Sequence, residues 1–235
     1  MKLATLQALN LARTQRKAAA LVTDLDSGEE RLVNEADIAA DPLAAALAEQ
    51  LRKGKSATVE QDGKRYFITM HVPPVRLVMI GAVHISQALV PLARLLDHEP
   101  IVVDPRTAFA SPERFPDVEL IAEWPDVALP PLGIDRYTAF VALTHDPKID
   151  DPALMHALER GCFYVGALGS RKTHARRLER LRAAGVGDNT LSRIRAPIGL
   201  DIGAISPSEI AVSIIAEITA ALRLESGEKK PRQVA

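Results

Sequence analysis

The chain has 235 residues, 47% of them hydrophobic and 25% charged, a globular composition that excludes a largely disordered protein. Lys and Arg number 29 against 30 Asp and Glu, and the formal charge of -1 offers no overall electrostatic footprint for nucleic acid. No apolar run approaches the roughly 18 residues of a membrane span, residues 1–17 lack the pattern of a secretory signal, and the single Cys162 excludes an internal disulfide or a Cys-rich metal site. A soluble, cytoplasmic protein with no membrane span and no nucleic-acid partner is expected.

Residues 1–73 read as a small α+β domain. Short strands are predicted over Ala18–Val22 and Arg31–Val33, around the turn Asp26-Ser27-Gly28. The Ala/Leu-rich stretch Ala36–Leu51 predicts a helix that closes near Gly54. Ser56–Glu60 and Arg65–His71 flank Asp62-Gly63, a hairpin signal. Pro73-Pro74 then marks a domain boundary.

Residues 74–225 change rhythm to alternating strands and helices. Val75–Ile80 is continuously apolar, as a strand buried on both faces is. Ile85–Leu96 predicts a helix, Pro100–Val103 a strand, Leu120-Ile121 a short strand and Tyr137–Leu143 another. Pro152–Arg160 predicts a helix, Phe163–Val165 a strand and Ser170–Ala184 a basic amphipathic helix. Ser206-Pro207-Ser208-Glu209 combines an N-cap, Pro at the first helical position and Glu at the third. Behind it Ile210, Ile214, Ile218 and Leu222 form a helical stripe. The fold class predicted is α/β, a Rossmann-like doubly wound parallel sheet preceded by a small α+β N-terminal domain. Residues 226–235 are polar and read as a flexible tail.

Ligands of such sheets lie beyond the C-terminal strand ends, so candidate binding residues follow the strands. Gly81, Ala82, Val83 and His84 occupy the place of a G-x-G-x-x-G loop, with Asp104 at the distance of a ribose-binding acid. Val83 stands where backbone normally approaches a pyrophosphate. The loop therefore reads as a dinucleotide site, as a plain strand-to-helix turn, or as a cradle for another phosphate-bearing ligand. Asp104 and Arg106 suit a ribose and a phosphate, or a Pro turn with its Arg in solvent. Thr144, His145 and Asp146 form a polar rim after a strand, or an Asx-type turn before Pro147. Gly166, Gly169, Ser170, Arg171 and Lys172 join a strand to the basic helix and offer an anion site. The same string nearly matches a P-loop, but Arg171 stands at its second glycine. Arg176, Arg177 and Arg180 read as a solvated helix face. Asp201, between Gly199 and Gly203, lies on a loop able to approach a ligand, or in a buried turn under the last helix. Cys162 reads as core.

Three stretches are more specific. They are Thr144-His145-Asp146-Pro147 through Leu154, Tyr164 through Thr173, and Ala196-Pro197-Ile198-Gly199-Leu200-Asp201-Ile202-Gly203-Ala204 running into Ser206–Ile214. Together they resemble the Rossmann domain of the XdhC/CoxI family, accessory proteins of xanthine dehydrogenase and aerobic carbon monoxide dehydrogenase. The resemblance implies a cytoplasmic chaperone that binds molybdenum cofactor, as molybdopterin or its nucleotide form, as cargo. It implies support of the cofactor's sulfuration by a cysteine desulfurase and delivery to a molybdenum hydroxylase apoenzyme. Two departures accompany it. Val83 replaces a family glycine, and residues 1–73 lack the family's glycine- and cysteine-bearing N-terminal motifs. A separate polypeptide is expected to supply those motifs, and a homo-oligomer is expected. The alternative is an NAD(P)-dependent oxidoreductase with a degenerate glycine loop. No metal ligand and no catalytic residue is assigned.

Overall fold

The computed structural model describes residues 2–224, so the tail expected over residues 226–235 lies outside the described residues. The chain divides into two compact units, Met1–Pro73 and Pro74–Ala235.

The first unit runs α1 (Leu3–Thr14), β1 (Ala19–Asp24), β2 (Glu30–Asn34), a 3-10 helix (Glu35–Ala40), α2 (Ala44–Lys53), β3 (Ala57–Gln61) and β4 (Lys64–His71). Its four strands form an antiparallel sheet in the order β2-β1-β4-β3. Ala20, Val22 and Ile68 build a core with Val33, Leu43 and Leu47. The β3–β4 turn places Asp62 and Gly63 at φ 53° and 73°, the double positive φ that the Asp-Gly pair favours. The single helix expected over Ala36–Leu51 is instead broken at Asp41. The residue before Pro42 is driven to extended backbone, and Asp41 sits at φ -80°, ψ 143°. Its carboxylate then accepts from both Arg31 Nη2 and Nε, at 2.7 and 3.1 Å, and from the Leu43 N–H at 2.8 Å. Helix α2 ends on Gly54 in the left-handed conformation, as the sequence indicates.

The second unit runs β5 (Arg76–Ile80), α3 (His84–Leu95), β6 (Glu99–Val103), β7 (Glu119–Ile121), α4 (Pro125–Leu132), β8 (Thr138–Ala142), α5 (Pro147–Glu159), β9 (Tyr164–Ala167), α6 (Arg171–Ala183), α7 (Asp188–Leu191), β10 (Ile194–Arg195) and α8 (Pro207–Arg223). Every strand pair is parallel, in the order β10-β9-β8-β5-β6-β7. This is the Rossmann-like doubly wound sheet expected, preceded by an α+β unit. Strand β5 shows why its sequence is apolar throughout. Leu77 and Met79 pack with Leu89, Ala93, Ile214 and Ile218 of α3 and α8. Val78 and Ile80 pack on the opposite face with Leu129, Ile149, Leu154 and Leu181 of α4, α5 and α6. All four are fully buried, and each contributes about 1.5–3 kcal/mol of transfer free energy. Helix α8 carries the expected capping box, with Ser206 accepting from the Glu209 N–H and Glu209 returning to the Ser206 N–H. Strand order reverses between β5 and β8, and a crevice at the strand ends follows from that reversal.

Candidate functional site

Gly81 closes β5 at φ 118°, where an added Cβ would lie 2.9 Å from Thr144 Cγ2 and 3.3 Å from its backbone nitrogen. This contact joins the β5 and β8 strand ends and leaves room only for glycine. The following Ala82 N–H donates to Asp104 Oδ2 at 2.8 Å, and Ser86 Oγ donates to the Gly81 carbonyl. Val83 lies at φ -103°, ψ 174°, extended backbone that a β-branched residue adopts without strain. Helix α3 starts there with no side-chain cap and no acidic residue in its first turn.

Asp104 is fully buried. Its Oδ1 accepts from the Arg106 N–H and Nε, each at 2.9 Å, and its Oδ2 from Ala82 and from Arg106 Nη2, the latter at 2.7 Å. Four bonds fill the roughly four acceptor positions of a carboxylate. Burial pushes this carboxyl up, but the bonds from Arg106 and Ala82 outweigh burial and hold it below the ordinary carboxylate value. A ribose hydroxyl at Asp104 would have to displace one of these donors. Arg106 also stacks 4.5 Å above the Phe109 ring and feels the charges of Asp146 and Asp150. Arg114 completes the frame by donating to the Ala82 carbonyl at 3.0 Å.

After β8, His145 takes a left-handed conformation at φ 64°. The buried Asp150 holds it there, accepting from Thr144 Oγ1 at 2.6 Å and from the His145 N–H at 3.1 Å. Burial raises the Asp150 carboxyl above its ordinary value, partly countered by Thr144 and by the Arg177 charge. Asp146 caps α5 through the Lys148 N–H, so α5 begins at Pro147 rather than at Pro152.

Strand β9 continues to Ala167, which makes Gly166 a strand residue; a Cβ there would lie 2.6 Å from Ile198 Cδ1. Only Leu168, Gly169 and Ser170 separate β9 from α6, too few for the wide loop of a P-loop. Gly169 sits at φ 134°, and its added Cβ would meet the Thr173 side chain at 3.1 Å. Ser170 caps α6 through the Thr173 N–H. Arg177 corrects the reading of Arg176, Arg177 and Arg180 as a solvated face, because its side chain is only 2% exposed. Its Nη2 donates to the Leu168 carbonyl at 2.9 Å and lies 3.9 Å from Asp150 Oδ2, tying the β8 and β9 loops together. The missed signal was its spacing: Arg177 lies four residues before the buried Leu181 and so shares its face.

The sequence candidates thus fall into two sets. Gly81, Ala82, Asp104, Arg106, Thr144, Asp146, Gly166, Gly169 and Ser170 are engaged in building the strand-end frame. The side chains of His84, His145, Arg171, Lys172 and Asp201 are exposed, without partners among the described residues. Asp201 lies after β10 among the exposed Leu200, Ile202 and Ile205, rather than in a buried turn. Asp150, Arg177 and Arg114 are framework residues that the sequence motifs do not single out. Cys162 is fully buried, and burial, with the nearby Asp135 charge, pushes its thiol up to about 12, leaving almost no thiolate at neutral pH. Among the described residues no cluster of His, Cys, Asp and Glu is arranged to hold a metal ion, and no helix is long and apolar enough to cross a membrane.

A parallel sheet of this order, with a polar edge at its switch point, defines a Rossmann-type binding domain. The chain belongs to the XdhC family: residues 77–218, more than half its length, match the XdhC Rossmann domain. It is similar to YqeB of Escherichia coli (strain K12), 36% identical over 154 residues, covering 65% of this chain and 28% of that protein. A protein of Bacillus subtilis (strain 168) named as a probable xanthine dehydrogenase component is 34% identical over 153 residues, 65% of this chain and 44% of that one. The molybdenum cofactor insertion chaperone PaoD of Escherichia coli (strain K12) is 33% identical over 156 residues, 66% and 42% of the two chains. The chain therefore spans less than half the length of each of these relatives. A crystal structure of a xanthine dehydrogenase from Bacillus halodurans shares the fold, with a TM-score of 0.69 at 23% identity over 93% of this chain and 66% of that one.

Proposed function

We propose that this protein is a maturation factor for a molybdenum hydroxylase of the xanthine dehydrogenase type, acting in the cytoplasm. It holds molybdenum cofactor as cargo across the strand ends and passes it to the apoenzyme, with a cysteine desulfurase supplying the sulfur. The observation that carries the reading is the extent of the family match. Residues 77–218 are the segment that builds the strand-end edge, and one relative sharing this level of identity is named a molybdenum cofactor insertion chaperone.

The chemistry of the edge supports a phosphorylated pterin. The uncapped start of α3 presents free N–H groups and the positive end of a helix dipole. Arg171 and Lys172 add charge, while His84, His145 and Asp201 supply uncommitted polar groups for a heterocycle. Cys162 is too deeply buried to carry the sulfur, which leaves that step to the desulfurase. The filled Asp104 carboxylate favours this cargo over a nicotinamide dinucleotide, whose ribose relies on a free acid at that position.

Mass spectrometry of the protein purified anaerobically under native conditions tests the reading. A bound pterin is expected. A stoichiometric nicotinamide dinucleotide in its place would overturn it.

A further inference from the structure

Between α5 and α6 lies a cleft of about 190 Å³ lined by Arg176, Arg177, Arg180, Thr173, His145 and Asp150. Arg177 is the notable member. It is almost wholly withdrawn from water, yet its Nε and Nη1 are buried without any hydrogen-bond partner. An unmet buried donor is costly, more so on a charged group. Asp150, at 3.9 Å, is too far for a hydrogen bond, and its oxygens accept from Thr144 and His145. Charge at this guanidinium is thus balanced at a distance while its hydrogen bonds are not. Nothing in the strand-end frame uses those two nitrogens.

The neighbours share the same sign. Arg176 is exposed and has no partner among the described residues. Arg180 is held on Asp151, with Nη2 at 3.0 Å from Oδ1. We propose that this cleft is a phosphate-binding site anchored by Arg177, with Arg176 and Arg180 at its mouth and the Thr173 hydroxyl at its side. A tetrahedral dianion offers several terminal oxygens to converging guanidinium forks, more than a single carboxylate can. The volume is about six times the ~30 Å³ share of one water, enough for a phosphate group with residual solvent. The ligand is either free phosphate or the phosphate end of a larger monoester. The site does not depend on the cofactor reading, because it rests on Arg177 and the cleft alone.

Calorimetric titration of the full chain with inorganic phosphate, and separately with a nucleoside monophosphate, tests this at low ionic strength. A Kd of about 1 mM or lower is expected for at least one probe. Tighter binding of the monoester assigns the phosphate end of a larger ligand, and equal binding assigns free phosphate; either supports the site. Arg177→Met is expected to weaken binding about tenfold or more, and Arg176→Ala about threefold with a weaker salt dependence. Should Arg177→Met fail to fold, the exposed Arg176→Ala carries the test. No binding of either probe to the parent protein, or unchanged affinity in the folded variants, overturns the proposal. That failure leaves the cofactor reading standing, and absence of bound pterin with intact phosphate binding would do the reverse.

Discussion

Arg106 gives three hydrogen bonds to the Asp104 carboxylate, and the Ala82 N–H gives the fourth. One arginine therefore anchors the acid that shapes the glycine loop. Arg106→Ala removes two of these bonds and strands a buried carboxylate. A loss of about 3 kcal/mol in urea unfolding at pH 7 is expected. The folded carboxyl lies below its unfolded value of 3.8. Its contribution is thus present above that pH and is lost as pH falls through the folded value. The gap between parent and variant is expected to narrow in acid below about pH 4.

Gly81 and Thr144 make a second, separable prediction. Gly81→Ala meets both a positive φ and a Cβ contact of 2.9 Å with Thr144 Cγ2. A loss of about 2–4 kcal/mol is expected from left-handed strain and overpacking together. Thr144→Ser deletes that methyl and keeps the hydroxyl that bonds Asp150. The double variant should recover part of the loss, leaving the strain behind. Strict additivity in unfolding free energy would contradict the contact.

Ser206 is a cap and nothing more. Ser206→Ala should cost about 1 kcal/mol by leaving the Glu209 N–H without its acceptor. Cargo affinity should stay unchanged. Thermal unfolding and binding measured on the same preparation decide the matter, and a large affinity loss at normal stability would place the α8 start in the site.

Lys172 belongs to the uncommitted set. Lys172→Ala should leave stability within about 0.5 kcal/mol and weaken retention of an anionic cargo several-fold, the difference shrinking as salt is raised. Gly169→Val is expected to act differently, lowering stability itself, because φ 134° and the Thr173 side chain leave no place for a branched residue. Normal stability in Gly169→Val would contradict this.

The buried strands are legible because β5 and β6 are packed on both faces and so read as unbroken apolar runs. Helix α8 and the Asp62-Gly63 hairpin are legible because their signals are local. Helix α1 escapes notice, with only Leu9 and Ala12 of its residues buried. Helix α4 is obscured by Pro130 and Pro131, although Pro125 at its start and Gly133 at its end mark it. Pro152 masks the true start of α5, since Asp146-Pro147 is the better cap. Arg177 is hidden by its neighbours: three arginines within five residues look solvated, and only the period shared with Leu181 turns one inward. The strand-end positions follow from topology. Their division into framework and free groups does not, because it depends on which donors reach Asp104 and Asp150 across the sheet.

The most direct test is the state of the client hydroxylase purified from strains with and without this protein, assayed for molybdenum, pterin and cyanolysable sulfur. Without the protein, the enzyme polypeptide should accumulate normally but be several-fold poorer in cofactor or in its terminal sulfido ligand. Equal metal, pterin and sulfur in the two preparations would contradict a role in cofactor maturation.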